Sequence, residues 1–417
     1  MTAAGALPPD TGLRADFDAL CAIGRDPAGG WTRPGYGPEE TAAVDWLAGR
    51  ARAAGLAVRL DPAGNLIARL DGRGGPAGPA VAMGSHLDTV TNGGAYDGAV
   101  GVLAGLAVLR RQAAAGPLPL ALELICFRDE EGRFGALTGS RAMMGEIGAD
   151  APDRLRDPAG VTLGAAMRAA GLNPAGLTAA RRAPGALAAY LELHVEQGRV
   201  LEAAGASLGL VTAIAGQRRY SVRFEGAADH AGTAPMDARH DAFAAAARFA
   251  DRFRDLVIAG GGGVARGTVG VVQVAPNLGN VVPAEVRLGL ELRDSDADRL
   301  DRLAAATEAL AADCAAALAV TARVRPRHAS LPVAMAAAPR AALAAAALAE
   351  GVAALPLLSG ANHDAGILGA HLPAAMLFVP SRGGRSHCPD EHTDWPAIAA
   401  AARVLGRAAA ALAGGPP

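Results

Sequence analysis

Short apolar runs alternate with longer stretches of helical periodicity through the first two hundred residues. Ala80 to Met83 is followed by the helix-like Gly98 to Gln112, then by the apolar Leu118 to Phe127; Ala189 to His194 leads into a helix expected from Glu196. Such alternation predicts an α/β sheet with helices on its faces. From about Gln217 the order changes to strand, helix, strand, strand, helix, strand: Tyr220 to Phe224, Asp241 to Phe253, Thr268 to Val274, Glu285 to Leu292, Asp298 to Ala317 and Thr321 to Val324. This is a ferredoxin-like α+β pattern of about 110 residues, the size of a small domain. After His328 the α/β alternation resumes, with Pro373 to Val379 a buried strand and Trp395 to Leu412 a closing helix. The expected organisation is therefore a discontinuous first domain, residues 1–214 and 329–417, interrupted by an insertion at 215–328. The glycine run Gly260 to Gly263 reads as a loop of the inserted domain.

Composition narrows the chemistry. A length of 417 residues favours two compact units. With 51% hydrophobic but only 4% aromatic residues, the cores must be built from Leu, Val, Ile and Ala. The net charge of -2 gives no reason to expect nucleic acid or an anionic membrane as partner, which moves small-molecule chemistry forward. All 39 basic residues are arginines, so Schiff-base and P-loop lysines are excluded together. Met1 to Phe17 lacks a basic start followed by an apolar stretch, so a cytoplasmic protein is expected. Two alanine-rich stretches near the end are interrupted by Pro339 with Arg340 and by Arg403 with Arg407, and read as helices of a soluble protein rather than membrane spans. Cys21, Cys126, Cys314 and Cys388 show no CxxC spacing and are read as reduced thiols.

Four segments at strand ends carry candidate chemistry, and strand ends in an open α/β sheet are where ligand sites gather. The first is Gly84-Ser-His-Leu-Asp-Thr-Val90, followed by Tyr96-Asp97-Gly98. In His86-x-Asp88 alternate side chains share one face, so Asp88 is placed to hold the imidazole of His86 for metal binding. Asp97 reads equally as a metal ligand or as the cap of the helix from Gly98. The second is Asp129-Glu130-Glu131-Gly132, where three consecutive acids mark either a solvated charged turn or a cation site. His194-Val-Glu196-Gln-Gly198 and Ser386-His387 complete the set. A single His at a strand end is usually a hydrogen-bonded surface residue; four coincidences in one domain argue otherwise. His86, Asp97, Glu131, His194 and His387 supply three imidazoles and two carboxylates, a set suited to zinc, manganese, cobalt or nickel rather than calcium. Five ligands exceed the need of one open catalytic zinc, so two divalent ions bridged by one carboxylate account for them better. Cys388 points away from His387 in extended chain and is left out. His240, His328, His371 and His392 are read as lacking a paired acid at informative spacing, and Gly98, Gly101 and Gly105 as packing a helix tightly on the sheet.

These residues carry a resemblance. The segments GSHLDTV, YDGAVGVLAGL, DEEGRFG with GSRA, LELHVEQG, AGQRRYSVRFEGAADHAGTAPM, PNLGNVVPAEV, LELRD, SGANHDA and FVPSRGGRSHCPDEHT, from Gly84 to Thr393, resemble the M20-type metallohydrolases. Within them they resemble the hydantoinase/carbamoylase amidases: N-carbamoyl-L-amino-acid hydrolases, β-ureidopropionases and allantoate amidohydrolases. The resemblance implies a zinc-peptidase-like catalytic domain with an inserted lid and dimerisation domain. It implies that His86 and His194 hold one metal, Glu131 and His387 the other, and that Asp97 bridges them. It implies Glu130 as general base, His230 as the group that stabilises the oxyanion, and Gln217, Asn280 and Arg293 as the groups that recognise a substrate carboxylate. A planar guanidinium pairs two-pronged with such a group; without the resemblance Arg293 is a rim salt bridge, with Asp294 as its candidate partner. His363 and the backbone of Gly383 and Gly384 are further candidates. The implied activity is hydrolysis of an N-carbamoyl amino acid or related ureido acid to ammonia, carbon dioxide and the amino acid, in a homodimer whose sites borrow His230 across the interface. A peptidase or N-acyl amino acid deacylase with the same metals is the alternative, and a non-catalytic binding module the other class; the module should have lost ligands or base, and every position here is filled. Two departures bear on the substrate. A residue that many relatives carry between Glu-Glu-Gly and Arg-Phe is absent, and His392 stands where Tyr is usual.

Overall fold

The computed structural model describes residues 12–415, so the first part of the amino-terminal stretch read above, Met1 to Thr11, lies outside the described residues. Thirteen strands are found among the described residues: β1 Ala57–Leu60, β2 Leu66–Leu70, β3 Ala80–His86, β4 Ala121–Phe127, β5 Leu187–Val195, β6 Leu208–Ile214, β7 Gly216–Glu225, β8 Arg266–Ala275, β9 Glu285–Asp294, β10 Thr321–Ser330, β11 Val333–Ala334, β12 Ala354–Ser359 and β13 Ala374–Val379. They fall into two compact units. One comprises the described residues up to Thr212 and from Met335 onward; the other is Ala213–Ala334. The second begins at Ala213 rather than 215 and ends at Ala334 rather than 328. The reason is local: β10 continues past the apolar run that marked it, and β11 pairs back onto Ile214 and Ala213.

The larger unit is built on a sheet in the order β1-β2-β4-β3-β5-β13-β6-β11, with β12 also paired to β6. Its centre, β4-β3-β5-β13, is parallel. Every residue of β3, β4 and β13 is buried, as expected for strands covered on both faces. The chain passes from β3 to β4 on one side and later to β5 on the other, so the carboxyl ends of these strands flank a topological switch point. The helix Ala99–Ala115 lies over this centre and is buried along its first eleven residues. Close approach is enforced at Gly101, where a Cβ would come within 2.2 Å of the Leu193 carbonyl oxygen. The helix Trp395–Leu412 packs beside it through Ile398, Ala401, Val404 and Leu405. Arg403 and Arg407, read as interrupting an apolar stretch, both pair with Glu350. Among the described residues no helix is long and apolar enough to cross a membrane.

The helix expected from Glu196 does not start there. It runs Val200–Ala204, and Glu196 lies before it with both carboxylate oxygens accepting, from the N–H groups of Val200 (2.6 Å) and Leu201 (2.9 Å). The glutamate satisfies helix-terminal donors instead of forming the first turn.

The inserted unit has the order β10-β7-β9-β8, with helices Ala242–Gly260 and Ala297–Ala316 on one face. That is the ferredoxin-like arrangement. Asp241 and Asp296 cap the two helices through side-chain acceptors. In β9 the residues Val286, Leu288, Leu290 and Leu292 are buried against Phe249, Phe253, Leu300 and Leu303, while Arg287, Gly289, Glu291 and Arg293 occupy the other face.

Candidate metal centre

The ends of β3, β4, β5 and the loop after β13 bring the five predicted ligands together. Asp97 stands at the middle. Its Oδ1 lies 3.0 Å from His194 Nε2 and 3.7 Å from His86 Nε2; its Oδ2 lies 3.2 Å from His387 Nε2. His387 Nε2 is in turn 3.5 Å from Glu131 Oε2. The ligand atoms of His86, Asp97 and His194 lie within 4.8 Å of one another, as do those of Asp97, Glu131 and His387. The two triads share Asp97. The capping alternative for Asp97 is not realised, because the helix cap is Gly98 at φ 64 and makes no side-chain cap bond. A Cβ at Gly98 would stand 2.5 Å from the His86 ring, so glycine is required both by its left-handed backbone and by the imidazole beside it.

Asp88 meets His86 through two of its atoms. The imidazole Nδ1 of His86 donates to the backbone carbonyl of Asp88 at 3.1 Å, which directs Nε2 toward Asp97. The Asp88 carboxylate, 3.5 Å from the same nitrogen, also accepts from the N–H groups of Glu130 (3.2 Å) and Glu131 (3.0 Å). It thereby fastens the end of β4 to the end of β3. The acidic triplet divides its tasks. Asp129, at φ 54, turns back and accepts from Phe134 N–H and Thr138 Oγ–H. Glu130 is buried with Oε2 3.7 Å from His86 Nε2, while Glu131 reaches toward His387.

Burial and proximity set the electrostatics. Burial opposes ionisation of Asp97, but His194, His387 and His86 together hold its carboxyl well below the usual range. Burial, reinforced by Glu131, Asp364 and Asp88 against the opposing pull of His86, holds Glu130 well above the ordinary carboxylate range. Burial and Asp97 push Glu131 up to about 7. His387 rises to about 9 through its hydrogen bond to Asp97 and the charge of Glu131. Burial works against His86 and His194, yet neighbouring carboxylates raise both. This crowding of anionic oxygens and imidazole lone pairs fits divalent cations, which would replace the protons.

His363 is buried in this unit, its ring edge-on to His194 at 4.4 Å and its Nε2 2.9 Å from Ser359 Oγ. Burial and then His194 hold it well below the normal imidazole range, so it is neutral. Glu192, His194 and His363 form a further close group, but both Glu192 oxygens already accept, from Ser85 Oγ–H and Ala365 N–H. Gly383 and Gly384 adopt φ 63 and 65, and their N–H groups are engaged within the unit, by Glu202 Oε1 and the Ser381 carbonyl.

The remaining predicted residues lie in the inserted unit, in two separate places. Gln217 and Arg293 are cross-strand partners and both hydrogen-bond Glu291. Arg293 pairs with Glu291, and Asp294 takes the two-pronged bond of Arg299. His230 and Asn280 are neighbours at the far end of the sheet, joined by Ala231 N–H to the Asn280 carbonyl and by a bridge between His230 and Val281. Gly232 N–H donates to His230 Nδ1 at 3.0 Å, so the neutral ring carries its proton on Nε2.

Several residues of the site were not singled out from the sequence. Gln197, at φ 59, donates to Asp97 Oδ2 at 2.8 Å. Glu391 accepts from the N–H groups of Tyr96 and Asp97 and from Ser386 Oγ–H, tying the Asp97 loop to the His387 loop. Arg239 staples the His230 loop through the carbonyls of Ala231 and Ala234. Of the histidines set aside, one has an acid at an informative spacing and another has an acid distant in sequence. His371 pairs with Glu146, and His392 with Asp394 at the same His-x-Asp spacing as the first motif. Cys388 belongs to neither triad.

Comparison with known proteins gives one consistent picture. Residues 82–411 match the peptidase family M20/M25/M40. The chain is 40% identical over 390 residues to an N-carbamoyl-L-amino acid amidohydrolase of Geobacillus stearothermophilus, covering 93% of this chain and 94% of that one. It is 36% identical to an allantoate amidohydrolase of Bacillus subtilis, covering 93% of each. A solved amidase of the hydantoinase/carbamoylase family from Burkholderia multivorans superimposes with a TM-score of 0.90 at 32% identity, over 99% of this chain and 100% of that one.

Protons and cations compete for the same ligand atoms, which fixes the direction of a pH effect. Because Glu131 titrates near 7 and His387 near 9, affinity for added zinc or manganese should climb as pH rises from about 7 to about 9, with proton release on binding. Calorimetry in buffers of different ionisation enthalpy measures both. A pH-independent affinity without proton release would show that these ligands are already deprotonated.

Proposed function

This chain belongs to peptidase family M20/M25/M40, and from that membership together with the two triads that share Asp97 we propose a binuclear amidohydrolase. It cleaves the carbon-nitrogen bond of N-carbamoyl amino acids or related ureido acids, releasing ammonia, carbon dioxide and the amino acid. Its relatives are named as amidohydrolases acting on such bonds. The single observation that carries the reading is the position of Asp97 Oδ1 against His86 and His194 and of Oδ2 against His387 and, through it, Glu131. Two divalent ions bound there, zinc or alternatively manganese, cobalt or nickel, would acidify water and polarise the substrate carbonyl.

The chain's own groups do the rest. Glu130, buried beside His86 and outside the ligand set, takes the proton of the attacking water and returns it to the leaving nitrogen. Burial raises its pKa, the direction that favours holding the proton between the two steps. His230 donates from Nε2 to the developing oxyanion, in the tautomer that Gly232 fixes. Arg293, with Gln217 beside it, pairs with the substrate carboxylate. His363, Gly383 and Gly384 are proposed at the pocket wall. The substrate panel decides the acyl group: ammonia should appear with N-carbamoyl amino acids, and N-acetyl counterparts should turn over poorly. Glu130→Gln should retain its metals and lose ~100 to 10,000-fold in turnover. Efficient release from the N-acetyl series instead would make the protein a deacylase, and a fully active Glu130→Gln would remove Glu130 as base.

A homodimer completes the proposal. Gln217 and Arg293 lie where β7 begins and β9 ends; His230 and Asn280 lie beyond where β7 ends and β9 begins. Eight residue steps of extended chain separate Gln217 from Glu225, about 27 Å. The ladder continues outward from there through Gly226 with Ala284, Asp229 with Val282 and Ala231 with Asn280. Groups at opposite ends of one sheet cannot grip one amino-acid-sized substrate, so each centre draws His230 and Asn280 from the partner chain. The outer edge of β8 supports this. It is a ten-residue edge strand with Val271 and Val272 exposed, followed by exposed Leu278, a surface that natural proteins keep covered. Mixing Glu130→Ala with His230→Ala under subunit exchange should restore activity, because a mixed dimer holds one intact centre. No recovery would place His230 in the centre of its own chain.

A further inference from the structure

We infer that the open face of the inserted sheet holds an anion site, distinct from the proposed metal centre and shaped for a phosphate group. Strand alternation sends Val222, Phe224 and Leu288 into the core and leaves Ser221, Arg223, Arg287, Arg323 and Arg325 on the other face. The register sets Arg323 opposite Arg223 and Arg223 opposite Arg287, three cations in line across adjacent strands. Like charges directly opposed destabilise a sheet, so such a row calls for a counterion. In the next row Arg325 faces Ser221, whose short side chain leaves a recess. The result is a cavity of about 200 Å³ lined by Ser221, Arg223, Arg287, Arg323, Arg325 and Arg327. The register shift between Pro326 and His328 adds Arg327 as the extra residue of a bulge, a device that re-aims a side chain.

The charges around the cavity do not balance. Glu225 pairs with Arg223 and Arg323, and Glu285 with Arg223 and Arg287. Arg325 and Arg327 make no ion pair among the described residues. Five guanidinium groups against two carboxylates leave three positive charges unmatched. This is not a symptom of a basic protein, because the whole chain carries -2. Nor is it the rule on this face, since Arg219 and Arg293 are both paired with Glu291. Converging planar forks around a small recess suit a compact oxyanion with at least two charges, which a phosphate group supplies and chloride does not.

Free phosphate and a phosphate ester of a small metabolite share this chemistry, and two probes separate them. Inorganic phosphate and glycerol 3-phosphate are titrated by calorimetry into the metal-loaded full-length protein and into Arg325→Gln/Arg327→Gln, in chloride buffer at fixed ionic strength. The expected result is saturable binding at one site per chain, weakened at least about tenfold in the double variant. Hydrolytic turnover and melting temperature should stay unchanged. Tighter binding of the first probe assigns free phosphate, and of the second a phosphate ester. Absence of saturable binding by either probe overturns the site. So does binding equal in wild type and variant, which would place the anion at the metal centre or elsewhere.

Discussion

Three imidazoles converge on the single carboxylate of Asp97, and the arrangement of the larger unit follows from keeping that carboxylate in place. It sits on a loop between β3 and the buried helix Ala99–Ala115 and has no rigidity of its own. Its position comes from Glu391, which accepts the N–H groups of Tyr96 and Asp97, and from Gln197, which donates to Oδ2. The same Glu391 accepts from Ser386 beside His387, so one buried acid aligns two loops. Asp88 performs the equivalent task between β3 and the Glu130–Glu131 segment. Buried carboxylates that accept several N–H groups are rigid anchors, because releasing any one bond leaves a desolvated polar group unpaired.

Three of the nine non-glycine residues with positive φ among the described residues stand at the same place. Asp129, Gln197 and His387 all have positive φ without being glycine. Each directly follows or precedes a residue of the centre or belongs to it, and backbone of this kind persists only where its surroundings over-determine it. The parallel strands β4-β3-β5-β13 supply that constraint, being buried throughout or nearly so.

What could be read in the sequence was whatever local pattern records. Strands β3, β4, β5 and β13 were legible because continuous burial makes them continuous apolar runs, and His86, Asp97, Glu131, His194 and His387 because each follows such a run. The ferredoxin-like order was legible because its two long helices and alternating strands have clear periods. Roles carried by hydrogen bonds to distant backbone were not. Glu391 acts on residues nearly three hundred positions away, and nothing in its neighbours records this. The helix expected from Glu196 after the apolar run begins at Val200, and the Glu196 carboxylate serves its first N–H groups from outside. For Arg293 the adjacent Asp294 was a candidate partner on sequence position alone; strand alternation turns Asp294 to the buried face and Glu291 to the same face as Arg293. The separation of Gln217 and Arg293 from His230 and Asn280 needed the register of β7 on β9, which motif order alone does not give.

A carboxylate shared by two cations, as proposed for Asp97, couples the binding of one ion to that of the other. Metal content per chain, measured by elemental analysis and located by anomalous diffraction, tests it most directly when wild type is compared with Asp97→Asn. Two divalent ions per chain are predicted in the wild type, one beside His86 and His194 and one beside Glu131 and His387, with both weakened together in the variant. A single ion in the wild type, or a variant that loses one ion and holds the other unchanged, would contradict it.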